Sequence, residues 1–189
     1  MLNWIIKRKL AAFTKRYGYD TSYALEILDI DRGALFAVAK VQAFGEYRKD
    51  IPKDVYWAAK LLSMVAEDCG PCTQLCVSMA LEDGVSPKVL AAALAGDDDA
   101  LTADQKLGIA FMRAARDHDV AADDLRDQII ARWGKRAVIS LAFAITATRI
   151  YPTLKYAMGY GKACSRVKVG DQVIVPRGKS VEVTAPLLA

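Results

Sequence analysis

Along most of this chain apolar residues recur at steps of three and four, the spacing that gathers them on one face of a helix. Leu2, Ile6, Leu10, Phe13 and Tyr17 form the first such stripe and predict an amphipathic N-terminal helix. Tyr23 to Phe44 reads as one helix or two, with Asp29, Asp31, Arg32 and Gly33 marking an interruption, and Gly45 to Ile51 reads as a charged connection. Pro52 opens the next helix, in which Val55, Ala58, Ala59, Leu62, Val65 and Ala66 keep helical spacing as far as Asp68. A further helix runs from Thr73 to Glu82 with Gly84 as its stop, and Ser86-Pro87 starts another that reaches Ala95. Gly96-Asp97-Asp98-Asp99 is a solvated turn. Thr102-Ala103-Asp104-Gln105 has the capping-box pattern, with Leu107, Phe111 and Ala114 as the buried stripe behind it. Asp123 and Asp124 precede Leu125, Ile129 and Trp133, and Gly134 ends that segment. Ala137 to Tyr151 is the most apolar helix, and Pro152 is expected to interrupt or kink it. After Cys164 the period becomes alternating: Val167 and Val169, the turn Gly170-Asp171, then Val173 and Val175, which predicts a small hairpin. Its edges need covering, so it should lie on the helical body or pair with another subunit.

Composition fits this pattern. The chain has 189 residues, 53% hydrophobic and 25% charged, enough for one sizeable core. The uncharged, strongly apolar run from Ala137 to Thr148 is twelve residues, short of the roughly 20 that span a bilayer, and is read as a buried helix. Leu2 to Ile6 is too short for the apolar part of a signal peptide and is followed, not preceded, by Lys7, Arg8 and Lys9. Three of the four cysteines crowd between positions 69 and 76, unlike the scattered framework of a small secreted disulfide protein, so a reducing, cytoplasmic setting is expected.

The net charge of +4 is unevenly spread, because Lys7, Arg8, Lys9, Lys15 and Arg16 all lie in the first seventeen residues and the remainder carries −1. For this helix, packing on the body or on a neighbouring subunit is the first reading. Contact of residues 1–17 with an anionic membrane surface is the second, since Trp4 beside a basic face suits an interfacial helix. No nucleic-acid partner is expected, because base-stacking aromatics and a known reading motif are both missing.

The candidate chemistry is Cys69-Gly70-Pro71-Cys72, two thiols three residues apart that can close and open a disulfide. The preceding stretch is helical, so the motif joins two helices and does not follow a strand, which argues against a thioredoxin domain. The attacking species is the thiolate, and a free cysteine with pKa about 8.5 carries little of it at neutral pH. At the N-cap of the second helix, Cys69 would face unpaired N–H groups and the positive end of the dipole. Pro71 suits the first turn, which also holds Cys72. Glu67 and Asp68 work against a second negative charge unless they point away or accept protons, which makes them auxiliary candidates.

Cys76 falls on the same helical face as Cys69 and Cys72. It is a small buried hydrophobe, a third redox partner, or a metal or cluster ligand, in which case Cys164 or His118 would have to complete the set. His118, the only histidine, is flanked by Asp117 and Asp119 and suits a charged helix end better than a catalytic base, with Arg113 and Arg116 able to pair with the aspartates. Asp97, Asp98 and Asp99 lack the pattern of a calcium loop. There is no glycine-rich phosphate loop, and neither a cofactor nor a metal enters the expected site.

Cys69, Cys72 and Gly84 stand on a helix–CxxC–helix–Gly frame, followed by amphipathic helices over Thr102 to His118 and Asp123 to Trp133 and the apolar helix from Ala137. On these residues the segment from about Asp54 to about Tyr160 resembles the alkyl hydroperoxidase D and carboxymuconolactone decarboxylase superfamily. The resemblance implies an all-α bundle, here with a C-terminal β-hairpin, that assembles as a trimer or hexamer. It implies a CxxC pair that reduces peroxides, or passes electrons from a partner disulfide, with Cys72 as the peroxidatic thiol, Cys69 as the resolving one, and a protein or small-molecule thiol as electron donor. Where the peroxidase branch has a glutamate upstream and two histidines around the second cysteine, this chain has Trp57, Pro71 and Cys76. The Cys-Gly-Pro-Cys pair itself is similar to that of disulfide reductants, which favours thiol–disulfide exchange with peroxide reduction as a variant of the same chemistry. The decarboxylase branch does not use this cysteine pair. The expected organisation is a basic helix over 1–17, a helical redox domain over 18–160, and a hairpin and tail over 161–189. A family member without catalysis, serving as an oligomeric binding or scaffold protein, is the alternative.

Overall fold

The computed structural model describes residues 2–177 of the chain. It is all-α with one small antiparallel hairpin near the C-terminus: α1 (Leu2–Tyr17), α2 (Ser22–Ile30), α3 (Arg32–Ala39), α4 (Val41–Glu46), α5 (Lys53–Ala66), α6 (Gly70–Glu82), α7 (Pro87–Ala95), α8 (Ala103–Asp117), α9 (Ala121–Trp133), α10 (Lys135–Ala157), β1 (Val167–Val169) and β2 (Gln172–Ile174). The expected tail over 178–189 lies outside the described residues.

The middle of the fold is α5, which buries Val55, Tyr56, Trp57, Ala58, Ala59, Leu61, Ser63, Met64 and Val65 and packs against α8, α10, α6 and α7. Burial on nearly every side explains why its apolar residues exceed a single stripe. Its buried hydroxyl is satisfied across the core, where Ser63 and Thr148 of α10 are hydrogen-bonded at 2.7 Å. The capping box of α8 forms as expected: Thr102 Oγ1 accepts from the Gln105 N–H at 3.3 Å and the Thr102 N–H donates to Gln105 Oε1 at 2.9 Å. Gln105 Nε2 also donates to Asp54 Oδ2 at 2.6 Å, which ties this cap to the first turn of α5. Replacing Thr102 with alanine therefore costs about 1 kcal/mol, read as a lowered midpoint in thermal denaturation.

Three local expectations are corrected. The stretch from Tyr23 to Phe44 forms three helices, not one or two, because Asp31 ends α2 and caps α3 through the Gly33 N–H at 2.7 Å, and a second break falls at Lys40. The last of these helices extends into the expected connection, taking Gly45 and Glu46. Pro152 does not interrupt α10, which continues to Ala157. A proline removes one backbone donor, and the buried face of α10 carries on through it, with Thr148, Pro152 and Lys155 all enclosed. By length and composition α10 could cross a bilayer. In this fold it lies along α5 and α4 and buries Ala137, Ser140, Leu141, Ala144, Ile145 and Thr148 against the bundle.

The hairpin lies on the helical body. The two-residue turn Gly170-Asp171 places Gly170 at φ 58°, a left-handed conformation natural to glycine. Val167 and Val169 point inward. The outer edge of β1 is covered by one side chain, for Gln74 Nε2 donates to the Lys168 carbonyl at 2.9 Å and Gln74 Oε1 accepts from the Lys168 N–H at 2.7 Å. This carboxamide does what a third strand would otherwise do. Gln74→Ala should leave the Lys168 amide open to water, seen as faster hydrogen exchange at that position with the helical amides unchanged.

Candidate functional site

Cys69 is the N-cap of α6, with Gly70 and Pro71 opening the helix and Cys72 in its first turn. A disulfide joins the two cysteines, with Cα atoms 5.3 Å apart. The Cys69 carbonyl accepts from both the Thr73 N–H and Thr73 Oγ1, each at 2.9 Å, so the first turn is held at its base. Both sulfurs are enclosed: Cys69 is 0% exposed and Cys72 3%. They belong to an apolar cluster with Tyr19, Tyr23, Ile27 and Met64, against which Leu10, Phe13, Tyr17, Tyr151, Leu154, Met158 and Tyr160 pack.

Two polar groups stand in this cluster beside Cys72. The Tyr19 hydroxyl lies 3.8 Å from Cys72 Sγ, and Lys155 Nζ donates to the same hydroxyl at 3.4 Å. The Lys155 ammonium also sits over the rings of Tyr19, at 4.7 Å, and Tyr23, at 5.5 Å. Lys155 is 2% exposed and has no carboxylate within ion-pair distance among the described residues. Burial lowers its pKa from the ordinary lysine value, with Asp20 pulling in the opposite direction. Burial, reinforced by Tyr23 beside it, raises the Tyr19 phenol well above the ordinary tyrosine range. Tyr19 therefore stays protonated, and its hydroxyl can donate to the Cys72 sulfur 3.8 Å away.

A short strap covers the other side of the pair. After α10 the chain turns back so that the Gly70 N–H donates to the Lys162 carbonyl at 2.9 Å, the Cys164 N–H to Asp68 Oδ1 at 3.1 Å, and the Tyr156 hydroxyl to the Asp68 carbonyl at 2.9 Å. Gly70 is required here by space, since a Cβ would fall 2.6 Å from the Ala163 carbonyl oxygen.

The auxiliary candidates are placed as follows. Glu67 is held by Arg116 at 2.9 Å and approached by Arg149 at 3.5 Å, so its charge is compensated by two guanidinium groups. Asp68 secures the strap, as just described. Cys76 is buried in the main core with Tyr56, Val77 and Leu141, not in the cluster that holds Cys69 and Cys72. It lies on the same stripe of α6 but one turn, about 6 Å, deeper along the axis. Burial pushes its thiol up to about 11, with Lys60 acting in the opposite sense. Cys164 is buried against Thr73, its Sγ 3.6 Å from Thr73 Oγ1. His118 caps α8 in the left-handed conformation and is exposed. Trp57 donates its ring N–H to Asp83 Oδ2 at 2.7 Å. Among the described residues no group of three or more His, Cys, Asp or Glu side chains is placed to hold a metal ion.

Tyr19 and Lys155 are the site residues that the sequence reading missed. Lys155 had a signal: Leu141, Ile145, Thr148, Pro152 and Lys155 continue one stripe at three- and four-residue steps, so a lysine stands at a core position. Tyr19 had none, because it lies in the link between α1 and α2, where no period marks burial. Compared with protein-family models, with curated proteins and with solved structures, the chain finds no match.

Proposed function

We propose that this protein is a thiol-dependent oxidoreductase in which Cys69 and Cys72 alternate between dithiol and disulfide, and that its oxidant is a small hydroperoxide. The observation that carries this reading is the chain of contacts from Cys72 Sγ to the Tyr19 hydroxyl to Lys155 Nζ. It supplies a hydrogen-bond donor and a nearby positive charge to a Cys72 thiolate, which are the groups that lower a thiol pKa. It also offers a route for the proton that peroxide cleavage consumes, in place of the glutamate and histidines of the peroxidase branch. The Cys72 thiolate attacks one peroxide oxygen, the O–O bond breaks, and the leaving alkoxide takes a proton to become an alcohol. The resulting sulfenic acid is attacked by the Cys69 thiol, which forms the disulfide and releases water. A dithiol donor then reduces the disulfide and is itself oxidised to its disulfide.

Burial of both sulfurs supports a small oxidant over a bulky protein disulfide, which could not approach along the S–S axis past the strap. The same burial also favours a second reading, a static disulfide in a binding or scaffold protein. Ring size weighs against it, because a bridge across three residues removes little freedom from the unfolded chain, less than the roughly 3 kcal/mol of a 15-residue loop. Assembly as a trimer or hexamer belongs to the proposed reading through the family resemblance. The faces such assembly would cover include α3, which buries none of its residues and exposes Phe36. The reading is tested with reduced protein and an organic hydroperoxide. Cys72→Ser should abolish peroxide consumption, and Cys69→Ser should stop after one turnover at a sulfenic acid that dimedone traps. Consumption no faster than by free cysteine would reject the peroxidase assignment.

A further inference from the structure

We propose that the N-terminal part of α1 docks this protein on an anionic lipid surface. The helix is anchored to the body by its second half, where Leu10, Phe13 and Tyr17 pack on the cluster around the disulfide. Its first turns are left uncovered: Leu2 is 47% exposed, Trp4 60% and Ile5 42%. Trp4, Ile5 and Ala12, with Arg8 and Lys9, line one shallow depression along this face. Residues 2–17 include five basic side chains and no acidic one. Lys7 is paired with Asp29 and Arg16 with Glu82, while Arg8, Lys9 and Lys15 make no ion pair among the described residues. The Arg8 guanidinium lies over the Trp4 ring, 4.8 Å from its centroid, which joins charge and aromatic surface in one patch.

The chemistry of the patch selects its occupant. A second copy meeting it face to face would bring like charges together, whereas anionic headgroups neutralise them. A nucleic-acid backbone would satisfy the charges but give Leu2, Trp4 and Ile5 nothing apolar to enter. The boundary between headgroups and acyl chains accepts a tryptophan with adjacent aliphatic residues, and arginine and lysine reach from there to the phosphates.

The test is flotation of the full chain with vesicles of phosphatidylcholine and phosphatidylglycerol in equal parts, and with phosphatidylcholine alone. The protein is expected to float with the mixed vesicles, remain unbound with the neutral ones, and be released by salt. Each basic residue near such a surface contributes about fivefold, so the triple variant R8Q/K9Q/K15Q should bind roughly 100-fold more weakly. Trp4→Glu should reduce binding at least as far as detection allows, with circular dichroism unchanged because Trp4 supports no buried contact. Equal flotation of wild type and variants overturns the proposal, as does binding to phosphatidylcholine alone. It is also overturned by a soluble oligomer that Trp4→Glu dissociates, or by binding to a DNA duplex as tight as to the mixed vesicles.

Discussion

Replacing Lys155 with methionine slows alkylation of reduced, native Cys72 by about tenfold or more at neutral pH and moves its pH profile to higher values. Through the two contacts with Tyr19 the ammonium lies within about 7 Å of the sulfur, where a unit charge in a medium of effective dielectric near 20 is worth about 2 kcal/mol to a thiolate. Methionine keeps the length and the apolar packing of the stem, so charge is the main thing removed. Stability of the oxidised protein separates this effect from unfolding. Lys155 binds its proton less tightly when folded, because burial lowers its pKa. The unfolded chain therefore holds more protons in the window below the ordinary lysine value near 10.4, and this site's contribution to stability rises with pH across that window. Lys155→Met should flatten that rise and leave the oxidised protein at least as stable at neutral pH. Tyr19→Phe, which removes only the hydroxyl, should slow Cys72 in the same direction. Unchanged alkylation in both variants, mapped by mass spectrometry, would remove Tyr19 and Lys155 from the site.

The second large effect is expected at Gly70. In an ordinary helix position glycine to alanine gains up to about 1 kcal/mol. Here the new Cβ would meet the Ala163 carbonyl oxygen at 2.6 Å, with the Cys164 Cα at 3.4 Å, and these are backbone atoms that cannot rotate aside. The strap must shift, at a cost of about 1–3 kcal/mol typical of overpacking. That cost falls on the hydrogen bonds from Gly70 to Lys162 and from Cys164 to Asp68, which hold the strap over the dithiol. Gly70→Ala should therefore lower the melting temperature while raising the rate at which a small dithiol reduces the disulfide, by about tenfold for each 1.4 kcal/mol by which the closed state is weakened. A variant that melts earlier but is reduced at the wild-type rate would show that the strap does not control access.

The helices were legible because their boundaries are written locally. Ser86-Pro87 and Gly96 bracket α7, and Thr102 with Gln105 begins α8, through hydrogen bonds reaching no further than four residues. Pro152 does not end its helix because that helix lies in a packed face that sustains it, a tertiary effect that residue type alone does not carry. The cysteine pair and its place at a helix N-cap were readable for the same local reason. What surrounds it was not. Tyr19 and Cys72 are separated by fifty-three positions, and Lys155 and Tyr19 by one hundred and thirty-six, so their meeting depends on how α10 and the link after α1 converge on α6. Cys76 shows the converse: one helical face suggested three neighbouring thiols, but the axial rise of a single turn carries the third into a different part of the core.

The central claim, that Cys69 and Cys72 form a working redox couple, is tested most directly by counting thiols in the native protein. The protein is equilibrated with a dithiol buffer, trapped by a small alkylating reagent without denaturant, and weighed intact. The account predicts that two alkylated cysteines appear together, map to Cys69 and Cys72, and disappear again after one equivalent of organic hydroperoxide, while Cys76 and Cys164 stay unlabelled. A disulfide that opens only in denaturant, or a reduced pair that hydroperoxide leaves untouched, would contradict it.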